Sequence, residues 1–317
     1  MGRELIEGDV CMTNSAWAES FGLRTPLVNA PMGGAAGGRL AAAVSAAGGL
    51  GMIGMGSSGT AAALRRELAL VPAGVRVGIG MVDWVARRNP DLLDVAIEAA
   101  PVLLSVSFGT DFDWVARARA AGVATVTQVA DVAGAEVAHD AGVDVLVARG
   151  LEGGGHGRPL QSRDALLTEV LAVTDRPVLA AGAISNAEDV RRALALGAAA
   201  VWVGTAFLLT REALTSPGAR QALRTATGED TLLTTVFDQA MGYAWPADIP
   251  ERVVANRFTA RWDDPQQSFD QEVAGAELRA ATAQDDPAGQ SVNAGVGVGE
   301  LHDDLSAAEV VAMLTPA

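Results

Sequence analysis

Residues 145–158 read Val-Leu-Val-Ala-Arg-Gly-Leu-Glu-Gly-Gly-Gly-His-Gly-Arg, an apolar run entering a glycine-dense loop that carries one histidine, His156. Imidazole gains and loses a proton near neutral pH, so His156 is a candidate general base. Glycines 153–155 carry no Cβ, so backbone there can come very close to a ligand. The other histidines offer less. His139 lies in a helical stretch beside Asp140, and His302 sits next to Asp303 and Asp304. The three are far apart and lack metal-ligand spacing, so no metal is expected. Cys11 is the single cysteine, which excludes an intrachain disulfide and a cysteine-rich zinc site.

One absence narrows the chemistry further. All 23 basic residues are arginine. Schiff-base lysines, a pyridoxal phosphate site and a lysine-bearing P-loop are therefore excluded. The net charge of −15 argues against a nucleic-acid partner or an anionic membrane surface. Acidic residues Glu4, Glu7 and Asp9 interrupt any apolar leader, so a cytoplasmic protein is expected. Residues 40–64 carry no charge, but their glycines fit a soluble helix followed by a buried strand better than a membrane span.

The elements that must position His156 are legible as a repeating pattern. Val-rich runs at 26–30, 49–55, 75–81, 102–108, 123–129, 143–148, 177–181 and 199–203 read as strands buried on both faces. Helical spacing fills the gaps at 61–70, 91–100, 112–121, 131–141, 162–174 and 186–196. Ala-Gly-Val or Leu-Gly-Ala at 121–123, 141–143 and 196–198 marks the turn from helix into strand. Eight such units predict an α/β fold, a (β/α)8 TIM barrel, whose chemistry sits at the carboxyl ends of its strands. The pattern changes after about residue 210. Residues 211–290 read as an inserted, mainly helical lid without strand alternation. Residues 291–317 return to the barrel, closing with a helix at 306–314 capped by Ser306 and Glu309. The expected division is 1–210 barrel, 211–290 lid and 291–317 returning segment.

Gly49-Leu-Gly-Met-Ile-Gly54 matches the dinucleotide fingerprint literally, but it follows a helix and enters a strand, the wrong order for that motif. The seventh and eighth barrel strands end in Gly182-Ala183 and Gly204-Thr205. Loops at these places often bind phosphate through backbone N–H groups. Ordinary strand-to-helix turns favour the same residues. Ala30-Pro31-Met32 ends the first strand, where Met32 could lie against a flat ring or simply complete a turn.

Taken in order, Asn29-Ala-Pro-Met-Gly-Gly34, Ala42–Gly51, Arg149-Gly-Leu-Glu-Gly-Gly-Gly-His156, Pro177–Ile184 and Val203-Gly-Thr-Ala-Phe-Leu208 resemble the nitronate monooxygenase family of FMN enzymes. Trp245-Pro to Arg252, Asn256-Arg-Phe and Arg261-Trp262 resemble its bacterial members. The resemblance implies an FMN-containing barrel that oxidises alkyl nitronates with O2 to a carbonyl compound and nitrite. It makes His156 the catalytic base. It places FMN against Ala30, Pro31, Met32, Gly80, Gln128, Arg149, Gly154, Gly155, Gly182, Ala183, Val203, Gly204 and Thr205.

The chain departs from the family pattern in four places. Arg149 replaces a usual Gln, Gly80 a usual Asn after strand three, Gly153 a usual Ala, and Ala183 the second of two glycines. Arg149 either approaches the flavin or pairs with a carboxylate such as Glu152. Flavin-dependent enoyl reductases and some NAD(P)H:quinone reductases share the Gly-Gly-His element. An NAD(P)H-dependent FMN reductase acting on a quinone or enoyl thioester is therefore the alternative. A flavin-free barrel binding a phosphorylated small molecule is a third reading. A homo-oligomer is left open.

Overall fold

The Val-rich runs become eight short parallel strands, β1 to β6, β8 and β9, in the computed structural model, which describes residues 16–266, 268–302 and 304–316. Cys11 and Asp303 lie outside the described residues. The strands are β1 (Leu27–Asn29), β2 (Met52–Met55), β3 (Gly78–Val82), β4 (Leu103–Ser107), β5 (Ala124–Val129), β6 (Val145–Arg149), β8 (Val178–Ala181) and β9 (Ala200–Val203). A further two-residue strand, β7 (Gly155–His156), lies in the glycine loop. The barrel order is β1-β9-β8-β6-β5-β4-β3-β2. A bridge from Val28 to Leu50 joins the two ends. Buried Asn29 reinforces that seam: its amide donates to the Met52 carbonyl at 3.0 Å and accepts from the Met52 N–H at 2.9 Å.

Both faces of each strand are covered. In β6, Val145 and Val147 join the core inside the barrel, while Leu146 and Ala148 pack under the surrounding helices. The same alternation sends Leu179 and Ala181 of β8, and Ala200 and Trp202 of β9, inward. Continuing it one step along β6 turns Arg149 into the barrel at its carboxyl end. The helix-to-strand turns are where the sequence places them, with Gly122, Gly142 and Gly197 at φ of +73°, +79° and +103°. The charge-free stretch 40–64 is a helix (Gly38–Ala47) followed by β2. No helix among the described residues is long and apolar enough to cross a membrane. The final helix, Ala307–Leu314, carries the expected capping box between Ser306 and Glu309 and packs on the helices Gly38–Ala47 and Ala187–Ala195.

Residues 211–290 differ from the mainly helical reading. Helices Pro217–Thr225, Val236–Met241, Arg257–Trp262 and Gln271–Ala283 are present, but so are β10 (Thr231–Thr234) and β11 (Glu251–Val254). These pair antiparallel, and β11 also pairs with β7, so a small sheet in the order β10-β11-β7 ties this segment to the glycine loop. Four-residue strands are too short for alternation to show in sequence. A separate cluster of Val236, Phe237, Val253, Phe258, Trp262 and Leu278 gives the segment its own core.

Candidate active site

A cavity of about 630 Å³ opens at the carboxyl ends of the barrel strands, beneath residues 211–290. This is within the range of small-molecule and cofactor sites. Ala30, Pro31, Met32, Gln128, Arg149, Gly154, Gly155, His156, Gly182, Ala183, Val203, Gly204 and Thr205 all line it. Gly80 does not. It lies within β3 rather than after it, and a Cβ there would come 2.3 Å from Pro31 Cγ. Its role is to make room for Pro31, so the family's usual Asn cannot occupy this position with Pro31 where it stands.

Strand β7 fixes His156 by pairing it with Glu251 and Gly155 with Arg252. His156 Nε2 is 2.8 Å from Oδ2 of Asp238, a carboxylate 82 residues away. Asp238 stands on the helix Val236–Met241 and is 5% exposed. The imidazole stacks flat on Trp245, with centroids 3.6 Å apart and planes at 5°. Trp245 is pinned in turn by its Nε1, which donates to Ser57 Oγ at 2.9 Å, and by edge contact with Phe108. Glu251 completes the cluster, its carboxylate lying with the His156 and Asp238 ligand atoms within 4.8 Å of one another. Burial pushes the Glu251 carboxyl up; the nearby His156 opposes the shift, and Asp238 adds to it. With the Asp238 carboxylate accepting from Nε2–H, Nδ1 is the ring nitrogen free to take a proton.

Neither Asp238 nor Glu251 was singled out by sequence reasoning. The available signal was a charged residue inside each apolar run, Val236-Phe-Asp and Glu-Arg-Val-Val254. Of the other histidines, His139 Nδ1 meets Thr174 Oγ1 at 2.8 Å and His302 is exposed, both away from the cavity.

Arg149 enters the cavity wall and is 7% exposed. Its Nη2 donates to the carbonyls of Gly153, Gly154 and Gly155 at 2.9, 3.1 and 2.9 Å. It therefore clamps the glycine loop. Glu152 is not its hydrogen-bonding partner; that carboxylate accepts the Arg163 backbone N–H at 3.0 Å. Burial, with repulsion from Arg252, lowers the Arg149 pKa to about 10, so it stays a cation at neutral pH. The loop is packed from outside too, because a Cβ on Gly154 would come 2.5 Å from the Gly295 nitrogen.

After β8 the chain turns through two residues with positive φ, Gly182 at +119° and Ala183 at +46°. The second is a strained conformation for alanine, of the kind that collects at binding sites. The fingerprint-like glycines 49–54 run from the end of a helix into β2, as their order in sequence requires.

The nitronate monooxygenase family model matches residues 78–317. The chain belongs to the nitronate monooxygenase family. A nitronate monooxygenase of Paraburkholderia phytofirmans is 30% identical over 93% of this chain and 92% of that protein. Among solved structures, FabK from Thermotoga maritima superposes with a TM-score of 0.81 at 26% identity, covering 95% of this chain and 94% of that one. A nitroalkane oxidase from Streptomyces ansochromogenes gives a TM-score of 0.79 at 27% identity, covering 94% and 96%. The protein is thus an oxidoreductase of the nitronate monooxygenase kind on a TIM barrel.

Proposed function

We propose that the protein is an FMN-dependent nitronate monooxygenase that oxidises alkyl nitronates with O2 to a carbonyl compound and nitrite. The observation that carries this reading is the His156–Asp238 pair at the wall of the barrel-mouth cavity. The residues present fit FMN. Ala183 and Ile184 line the cavity, and neither donates its N–H to another described group, which leaves both for a phosphate. Ala30, Pro31 and Met32 offer an apolar face to a flat ring, and Gln128 and Arg149 offer polar donors to its edge. Gly204 and Thr205 border the same space.

Bound there, FMN would supply the electron acceptor. The chain's own groups do the rest. His156 Nδ1 takes the proton from the carbon beside the nitro group of a neutral substrate. Asp238 holds the ring by Nε2 and stabilises the imidazolium that forms. Trp245, stacked on the ring, favours that cation and shields it from water. Burial favours the neutral form of Glu251, so it leaves the Asp238–His156 hydrogen bond uncontested. In this reading residues 1–210 hold the flavin, residues 211–290 supply Asp238 and cover the mouth, and residues 291–317 return to the barrel. The substrate is a small molecule and the compartment the cytoplasm.

Steady-state kinetics of His156→Asn test the base. Turnover of a neutral nitroalkane should fall by about 10²–10⁴-fold, the usual worth of a positioned base. Turnover of the already ionised nitronate should fall much less, with flavin content unchanged. An equal fall for both substrates would remove the proton-transfer role. Nitrite and carbonyl release by the wild type is the accompanying check on the reaction.

A further inference from the structure

Arg163 stands behind the cavity. It begins the helix Arg163–Leu171, its side chain is 8% exposed, and it is not part of the cavity wall. Its Nη1 donates to the carbonyls of Gly182 at 2.9 Å and Ala183 at 3.0 Å. Its Nε donates to Asp164 Oδ1 at 2.7 Å, and Asp164 also pairs with Arg192 at 2.5 Å. Burial works against the Asp164 charge, but the bonds and charges of Arg163 and Arg192 outweigh it and hold that carboxyl below its usual range. The guanidinium is thereby locked in place. The Arg163 backbone N–H donates to Glu152, which anchors the glycine loop to the same residue.

In a trans peptide the C=O and N–H point in opposite directions. The Gly182 carbonyl shares its peptide with the Ala183 N–H, and the Ala183 carbonyl shares its own with the Ile184 N–H. Turning both carbonyls toward Arg163 turns both N–H groups away from it, and the cavity lies on that side. The next N–H, of Ser185, is already taken by Asp189 Oδ2 at 2.9 Å. The same two bonds stabilise the left-handed conformation of Ala183, which glycine would adopt unaided. We propose that Arg163 is a positioning residue for the phosphate end of the cavity: it aims the Ala183 and Ile184 N–H groups at the FMN phosphate without touching the ligand. This rests on the FMN reading above.

Riboflavin shares the ring and lacks the phosphate, so the pair of flavins isolates the effect. Apoprotein of the wild type, Arg163→Met and Arg163→Lys would be titrated with each, following flavin fluorescence, after a thermal melt confirms folding. Arg163→Met should weaken FMN binding by about 10-fold or more, the loss of one or two charge-assisted bonds, with riboflavin affinity changed less than about 2-fold. Arg163→Lys keeps a donor for the carbonyls and should recover most of the loss. Equal weakening of both flavins, or FMN affinity unchanged in Arg163→Met, would overturn the inference. If Arg163→Met does not fold, Arg163→Lys carries the test: FMN affinity somewhat below wild type with riboflavin affinity unchanged is expected, and weakening of both flavins there would also overturn it. A wild type that binds neither flavin would instead overturn the FMN reading, a failure visible without any variant.

Discussion

Glu251 is a buried acid whose ionisation costs the fold. Burial raises its carboxyl above the value it has in an unfolded chain; His156, Asn293 and Ser291 oppose the shift, and Asp238 adds to it. The folded protein therefore keeps a proton that the unfolded chain gives up at lower pH. The contribution of Glu251 is fully present below the unfolded carboxylate value and is lost as pH rises through the folded one. Glu251→Gln carries no such proton. Its melting temperature should fall less than that of the wild type over this window, and parallel curves for the two proteins would show that Glu251 does not titrate as described. His156 was legible in the sequence because three glycines precede it. Asp238 and Glu251 were not, because they reach the histidine across 82 and 95 residues of chain, one from a six-residue helix and the other through a sheet too short to announce itself.

The glycine loop has no regular structure beyond the two residues of β7, and it is held from several sides. Arg149 binds three of its carbonyls from the barrel, β11 pairs with its end, and Gly295 packs on Gly154. The sequence left Arg149 between a flavin contact and a Glu152 pair; its strongest visible engagement is with the loop itself. A Gln in its place is shorter and uncharged, so it loses the charge-assisted bonds that the Arg149 guanidinium makes to the three carbonyls. Arg149→Gln should lose about 1–3 kcal/mol of stability, with faster hydrogen exchange at the amides of residues 153–157. Wild-type exchange protection in that variant would show that the clamp does not hold the loop. The barrel strands around it were readable throughout, because parallel strands buried on both faces leave unbroken apolar runs and the turns between units demand glycine. Gly80 shows the limit of that reading: its place in β3 against Pro31 is a packing fact between a strand and the loop after β1, invisible in either alone.

At the scale of the whole molecule, the barrel brings Ala183, Ile184 and Arg149 to one mouth, and the segment 211–290 covers it and carries Asp238 to His156. In the reading proposed above, the barrel holds the flavin and the covering segment supplies the carboxylate that orients His156. FabK and a nitroalkane oxidase superpose about equally well, so the fold by itself does not choose the reaction. The choice rests on the site. The decisive measurement is anaerobic mixing of the purified FMN-loaded protein with an alkyl nitronate and, separately, with NADPH, following the visible absorbance of the flavin. The account predicts rapid bleaching by the nitronate and none by NADPH on the same timescale. Rapid bleaching by NADPH with the nitronate inert would contradict it and make the protein a nicotinamide-dependent reductase.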